Sequence, residues 1–213
     1  MSYEQDFTKL KERAITLTDD KNEWSVSSKS KNDVLIESRP SDLYSATIYR
    51  VTAKVKASVQ VVKETIAVFP GSKRLEWDSN LKEISEMKRI TEKQWIQVSR
   101  SNGIDKGLIS PRAFVDLTEL EQTEDYCLLT GGSIEYPEMK SNDKYVRGWN
   151  GIVALRIEKD SEEPEFVHLV YVSEIDFKGK IPRSLVDATM ASVLAGTVTN
   201  WFKYMEQCGY LKS

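Results

Sequence analysis

Apolar residues recur near every third or fourth position in three stretches of the chain and alternate with polar ones in most of the rest. Phe7, Leu10, Ala14, Ile15 and Leu17 fall on one helical face, with Lys9, Lys11, Glu12 and Arg13 on the other. The polar run 17–22 ends that first helix. Positions 24–27 and 34–37 are short strand candidates around a polar turn at 29–33. The segment 44–55 is a better strand, with Tyr49, Val51, Ala53 and Val55 in alternation. The period then changes. Val59, Val62, Ile66 and Phe69 share a helical face, Ser58 can cap it, and Pro70-Gly71 stops it. Residues 72–78 are too few for a full helix and read as a turn or a single helical turn. Strands follow over 82–90, 94–100, 112–121, 126–134, 145–158 and 165–175, with a hairpin tip at 160–164. The last helix is the longest. Val186, Met190, Val193, Leu194, Val198, Trp201, Phe202 and Met205 form its stripe, Pro182 sits in its first turn and Gly209 stops it. Ala188, Ala191, Ala195 and Gly196 keep part of its surface thin.

This order predicts one α+β domain over 1–213, with a curved antiparallel sheet wrapped around the last helix. Nine strands around one helix enclose more space than side chains fill, so an internal, mainly apolar cavity is expected. No repeat or linker divides the chain. Composition narrows the partners. Of 213 residues, 30 are Lys or Arg and 33 are Asp or Glu, a net charge of −3 that excludes a broadly basic nucleic-acid module. Two cysteines far apart, Cys127 and Cys208, exclude a disulfide-dense scaffold and fit a reducing compartment. The polar start is no secretory signal and no apolar run is long enough to span a bilayer. A cytoplasmic location is expected.

Motifs for catalysis are missing. There is no phosphate-binding glycine loop, nucleophile elbow, His-Glu-x-x-His or Cys-x-x-Cys, so neither metal nor cofactor is expected. His168 alternates with Phe166 and Val170 and reads as structural or partly exposed; Cys127, in Tyr126-Cys-Leu-Leu129, reads as core. Polar side chains nevertheless interrupt strands. Ser99 follows Trp95 and Gln97 on one face, Thr130 and Ser133 break the next apolar run, and Tyr171 and Ser173 share a face with Leu169. Either these face solvent or they are the sparse polar lining of an apolar cavity. Arg74, just before Trp77-Asp78, is either part of a surface ion pair or a cavity-wall donor for a ligand hydroxyl or carboxylate.

Four pieces in order carry a family resemblance: Arg74-Leu-Glu-Trp-Asp78, Leu108-Ile-Ser-Pro-Arg-Ala-Phe-Val-Asp116, Tyr145-Val-Arg-Gly148 and Ile175-Asp-Phe-Lys-Gly-Lys-Ile-Pro182. Over about 24–205 the chain resembles the StAR-related lipid-transfer (START) family, most of all its small stand-alone cytosolic sterol- and bile-acid-binding members. The resemblance implies a helix-grip fold in which a tunnel between curved sheet and last helix holds one lipid, entered near that helix and the loop 102–109. In the sterol and bile-acid subgroup an Arg before the Trp-Asp pair is associated with the cavity, and it matches Arg74. Steroidogenic members carry a buried Arg six positions after the Pro-Arg motif; here that position is Thr118. The 102–109 loop is slightly shorter than in the bile-acid-binding relative. Arg112 and Arg147 are expected to pin strands and loops through ion pairs, and Asp176 and Pro182 to shape the approach to the last helix. Trp149 either lines the cavity or fills a sheet face.

The expected function is non-enzymatic binding and transfer of one hydrophobic lipid, a sterol or sterol-derived molecule, with transient membrane contact, no nucleic acid and a monomeric state. The candidate ligand-binding set is Arg74, Ser99, Leu108, Thr130, Ser133, Trp149, Tyr171, Ser173, Met190 and Leu194. A phospholipid or fatty-acyl carrier is the nearest rival. An enzyme hydrolysing a thioester or cyclising an aromatic substrate would have to rely on His168, Cys127 or Asp78, and a ligand-dependent interaction module is the third class.

Overall fold

The computed structural model describes residues 3–21, 24–29, 34–44, 46–103, 109–139 and 144–211. Helix α1, Glu4–Asp19, buries Phe7, Ala14 and Leu17. Strands β1 (Ser25–Lys29) and β2 (Leu35–Pro40) lead to β3, Thr47–Val55. The third strand starts later than its apolar run suggests. The Ser41 hydroxyl accepts from the main-chain N–H groups of Leu43 and Tyr44, which folds that stretch into a turn. In α2, Val59–Ile66, Ser58 is the capping residue and its Oγ accepts from the Val61 N–H at 3.3 Å. Residues Lys73–Glu76 make a single 3-10 turn.

The remaining strands are β4 (Leu81–Arg89), β5 (Gln94–Ser101), β6 (Arg112–Gln122), β7 (Tyr126–Ser133), β8 (Val146–Arg147), β9 (Trp149–Lys159) and β10 (Val167–Asp176). The expected strand 145–158 is in fact two, divided at Gly148. There the chain runs against the Phe114 ring so closely that a Cβ would lie 2.4 Å from Cε1. β8 then pairs parallel to the start of β6, while β9 is antiparallel to β7 and β10. The antiparallel path across the sheet is β1-β2-β3-β10-β9-β7-β6-β5-β4, which brings an early strand beside the last one.

Strand alternation gives the sheet two apolar faces. On the outer face, Ile48, Ile152, Ala154 and Val172 pack under Ala14 and Leu17 of α1. On the inner face, Val51, Leu129, Leu155 and Leu169 meet Val62 and Ile66 of α2. They also meet Val198, Trp201, Phe202 and Met205 of α3, Arg183–Gln207. Pro182 is the residue just before that helix. At the far end Gly209 takes φ +64°, as its position after the stripe implied, and Tyr210 N–H bonds back to the Met205 carbonyl at 2.9 Å.

Arg112 pins the fold differently from expectation. Among the described residues it makes no ion pair. Its guanidinium donates to the carbonyls of Ser110, Phe177 and Lys178 and to Ser110 Oγ, fastening β6 to the turn that leads into α3. Carbonyl oxygens at such a turn lack strand partners, and a planar donor fork fits several at once. Arg147 likewise donates to the carbonyls of Ala113, Val115, Ile134 and Gly148. Asp176 accepts from the Lys178 N–H at 2.8 Å, shaping the same turn. No helix among the described residues is long and apolar enough to cross a membrane.

Candidate functional site

Between α3 and the inner face of the sheet lies a cavity of about 1200 Å³, its opening included. α3 supplies Met190, Val193, Leu194, Thr197 and Val198; β10 supplies Tyr171, Ser173 and Ile175; β5 and β6 supply Gln97, Ser99, Ser101, Phe114, Asp116 and Thr118. The small residues of α3 do not create this space. None of Ala188, Ala191, Ala195 and Gly196 lines it, and Gly196 faces open surroundings. Short side chains on the strands create it instead. Ser173, Ser99, Ser101 and Gly131 stand where a close-packed sheet–helix interface would carry larger residues.

Arg74 forms part of the wall but is not a free cation. Its Nε and Nη2 both reach Asp78 Oδ2 at 2.7 Å, and Nη1 donates to the Ile66 carbonyl. The guanidinium lies 4.5 Å from the centre of the Trp77 ring, and Trp77 Nε1 is itself tied to the Thr65 carbonyl at 2.8 Å. A turn just past the 3-10 segment makes this possible: the Asp78 N–H donates to the Arg74 carbonyl at 3.1 Å, which brings Asp78 back to the side of Arg74 four residues earlier. Both residues are buried, so each charge needs the other. Two of the five guanidinium N–H groups remain available to a ligand.

A second polar group lies on β6. Asp116 is buried and accepts from Ser133 Oγ at 2.7 Å and from Asn150 Nδ2 at 2.9 Å. Ser133 Oγ in turn accepts from the Asn150 N–H at 2.8 Å, which directs its hydroxyl proton to Asp116. Burial pushes the Asp116 carboxyl above the ordinary Asp range, against these two hydrogen bonds and the nearby Arg147. Burial likewise raises the Tyr171 phenol, with Arg74 opposing. The hydroxyls of Thr118 and Ser173 are buried and have no partner among the described residues.

Of the residues singled out from sequence, Arg74, Ser99, Tyr171, Ser173, Met190 and Leu194 line the cavity. Leu108 lies outside the described residues. Thr130 does not reach the cavity: Leu129 and Gly131 face inward, so alternation turns Thr130 outward, level with Ala154 beneath α1. Ser133 stands behind the wall, where its hydroxyl is spent on Asp116 and Asn150. Trp149 is half-buried but outside the lining. A register shift between Glu174 and Ile175 changes the alternation of β9, so that Asn150 and Val153 face the cavity instead.

Gln97, Ser101, Asp116, Thr118 and Asn150 are polar strand residues of the lining that lie outside the sequence-derived candidate set. Asp116 carried a usable signal, an acid between Val115 and Leu117 in mid-strand. For Asn150 the signal was its neighbour Gly151, which sits at the register shift that turns Asn150 inward. The residues considered for catalysis do not meet. His168 is exposed on the outer face and paired with Asp160 at 2.7 Å, whereas Cys127 is buried on the inner face with its thiol pushed up to about 11 by burial. Asp78 is engaged by Arg74.

A family model described as START domain matches residues 5–209. StAR-related lipid transfer protein 4 of Homo sapiens is 29% identical over 92% of this chain and 91% of its own length. StAR-related lipid transfer protein 5 of Bos taurus is 26% identical over 92% of each chain. The solved structure of the human StAR-related lipid transfer protein 5 superposes with a TM-score of 0.88 at 24% identity, covering 96% of this chain and 97% of that one. The similarity therefore spans α1, the sheet, the cavity and α3 together.

Proposed function

The chain belongs to the START domain family, and from that premise we propose that it is a non-enzymatic carrier of one lipid at a time, a sterol or sterol-derived alcohol. Lipid binding and transfer are what the family match implies. The finer reading rests on one observation: a cavity with a mainly apolar wall whose lone cation among the described lining residues, Arg74, is already neutralised by Asp78.

A fused apolar ring system would derive most of its affinity from burial, at roughly 25 cal/mol per Å² before the costs of ordering. The head group decides between lipid classes. A phosphate or carboxylate is best met by an unpaired guanidinium or ammonium. Here it would meet a closed ion pair and, at Asp116, an acid. A hydroxyl both donates and accepts, and it suits the spare N–H groups of Arg74 and the free hydroxyls along β6 and β10. This favours a neutral alcohol over a phospholipid or fatty acid. Loading requires α3 to yield, during transient contact with a membrane surface. The protein acts as a monomer in the cytoplasm.

Titration with a fluorescent sterol tests the reading. Saturable binding of one sterol per chain is expected, weakened at least tenfold by Leu194→Trp, which fills the cavity. Failure to bind sterol, with one-to-one extraction of phospholipid from vesicles, would refute it.

A further inference from the structure

Resting on the sterol reading, we propose that the cavity contains a second polar subsite, built by Thr118 and Asp116 and separate from Arg74, that takes a second hydroxyl on the ligand. The ligand would then be a dihydroxy sterol rather than a monohydroxy one.

The argument starts from sheet register. Ser173 on β10, Val153 on β9, Gly131 on β7 and Thr118 on β6 lie opposite one another in a single row across four strands. All four line the cavity. Gly131 leaves the row open. A Cβ placed on it would lie 3.6 Å from Thr118 Oγ1, so the threonine hydroxyl borders the gap where a side chain is missing. Asp116 is two residues from Thr118 on the same strand and hence on the same face. Its two oxygens accept one hydrogen bond each, and a carboxylate has room for about four. No described cation lies within ion-pair distance of it.

Thr118 is only 1% exposed, and its hydroxyl has no partner among the described residues. A buried hydroxyl without a partner is a cost to the fold that an apolar side chain of the same shape would avoid. Such a hydroxyl, on the same strand and face as an acceptor with unused lone pairs, makes a set of donor and acceptor that a molecule inside the cavity completes. A monohydroxy sterol anchored at Arg74 leaves this set unsatisfied. A second hydroxyl completes it by accepting from the Thr118 O–H and donating to Asp116.

The test compares affinities for cholesterol and for cholesterols carrying one extra hydroxyl on the ring system or the side chain. The wild-type chain is expected to prefer at least one dihydroxy sterol by about tenfold, the value of one well-placed hydrogen bond. Thr118→Val should reduce that preference several-fold. It should also leave the thermal midpoint unchanged or raised, which a structural hydroxyl would not do. Gly131→Ala, which meets only ordinary contacts, should reduce the preference by covering Thr118 and provides a second route if a strand variant fails to fold. A wild-type preference for cholesterol over every dihydroxy sterol, or a preference that survives both variants, overturns the subsite. Should no sterol bind, the sterol reading itself fails. The same comparison is then made with stearic acid and a mid-chain hydroxystearic acid, where the lack of any preference overturns the subsite too.

Discussion

The two halves of α3 do different work. Its C-terminal part is bolted to the molecule: Val198, Trp201, Phe202 and Met205 are buried in the inner core. Trp201 Nε1 donates to Thr65 Oγ1 at 2.9 Å, and Tyr204 OH donates to Glu76 at 2.5 Å. The N-terminal part roofs the cavity. There Val186, Val193 and Leu194 are only partly buried, the Asn80–Thr197 hydrogen bond is a long 3.4 Å, and the side chain facing Thr47 Oγ1 is Asp187, at 2.7 Å. One continuous apolar stripe thus serves two purposes. Where the facing sheet is filled with large side chains it makes core, and where the sheet carries serines and a glycine it makes a lid.

The largest contrast should come from Trp201 and Leu194. Trp201→Ala removes a fully buried side chain and the bond to Thr65, and should cost about 3–5 kcal/mol in urea unfolding. Leu194→Ala enlarges space that already exists and should cost less than about 2 kcal/mol. Equal losses would abolish the distinction between the halves. Arg74→Leu probes the packed end from the other side. It orphans the buried Asp78 and should cost about 3–5 kcal/mol, with most of the loss regained in the Arg74→Leu/Asp78→Leu double variant. If the double variant is as unstable as the single, the pair is not what holds the turn.

At the cavity end, pH is informative. The Asp116 carboxyl is raised in the folded state, so its contribution to stability is fully present below the unfolded value of about 4 and lost as pH rises through the folded value. Asp116→Asn removes that loss. Its urea midpoint should therefore rise relative to wild type between acid and neutral pH, and a difference independent of pH would contradict the assignment. The smallest effect is expected at Gly196, whose missing Cβ would meet nothing. Gly196→Ala should stabilise the roof half by about 0.5–1 kcal/mol and slow sterol exchange between vesicles.

Much of this was legible beforehand because it depends on local periodicity. The α3 stripe, the Ser58 cap, the short turn at 72–78 and the alternation that places Tyr171 with Ser173 are all properties of neighbouring residues. The cavity was expected for a partly mistaken reason: the small residues of α3 seemed to thin the helix, whereas the emptiness comes from short side chains on strands far apart in sequence. Thr130 and Trp149 were misplaced for a related reason. Which face a strand residue takes depends on where the alternation is anchored and where the register slips, and the Glu174–Ile175 shift is a property of two strands together. Arg112 looked like an ion-pair former because charge is visible in sequence, while the carbonyls it binds are not.

Amide hydrogen exchange along α3, with and without bound sterol, tests the central claim most directly. The account predicts rapid exchange over 186–197 in the empty protein, slowed strongly by sterol, and slow exchange over 198–207 in both states. Uniform exchange along the helix, or protection by sterol confined to 198–207, would contradict a lipid held beneath the roof half of α3.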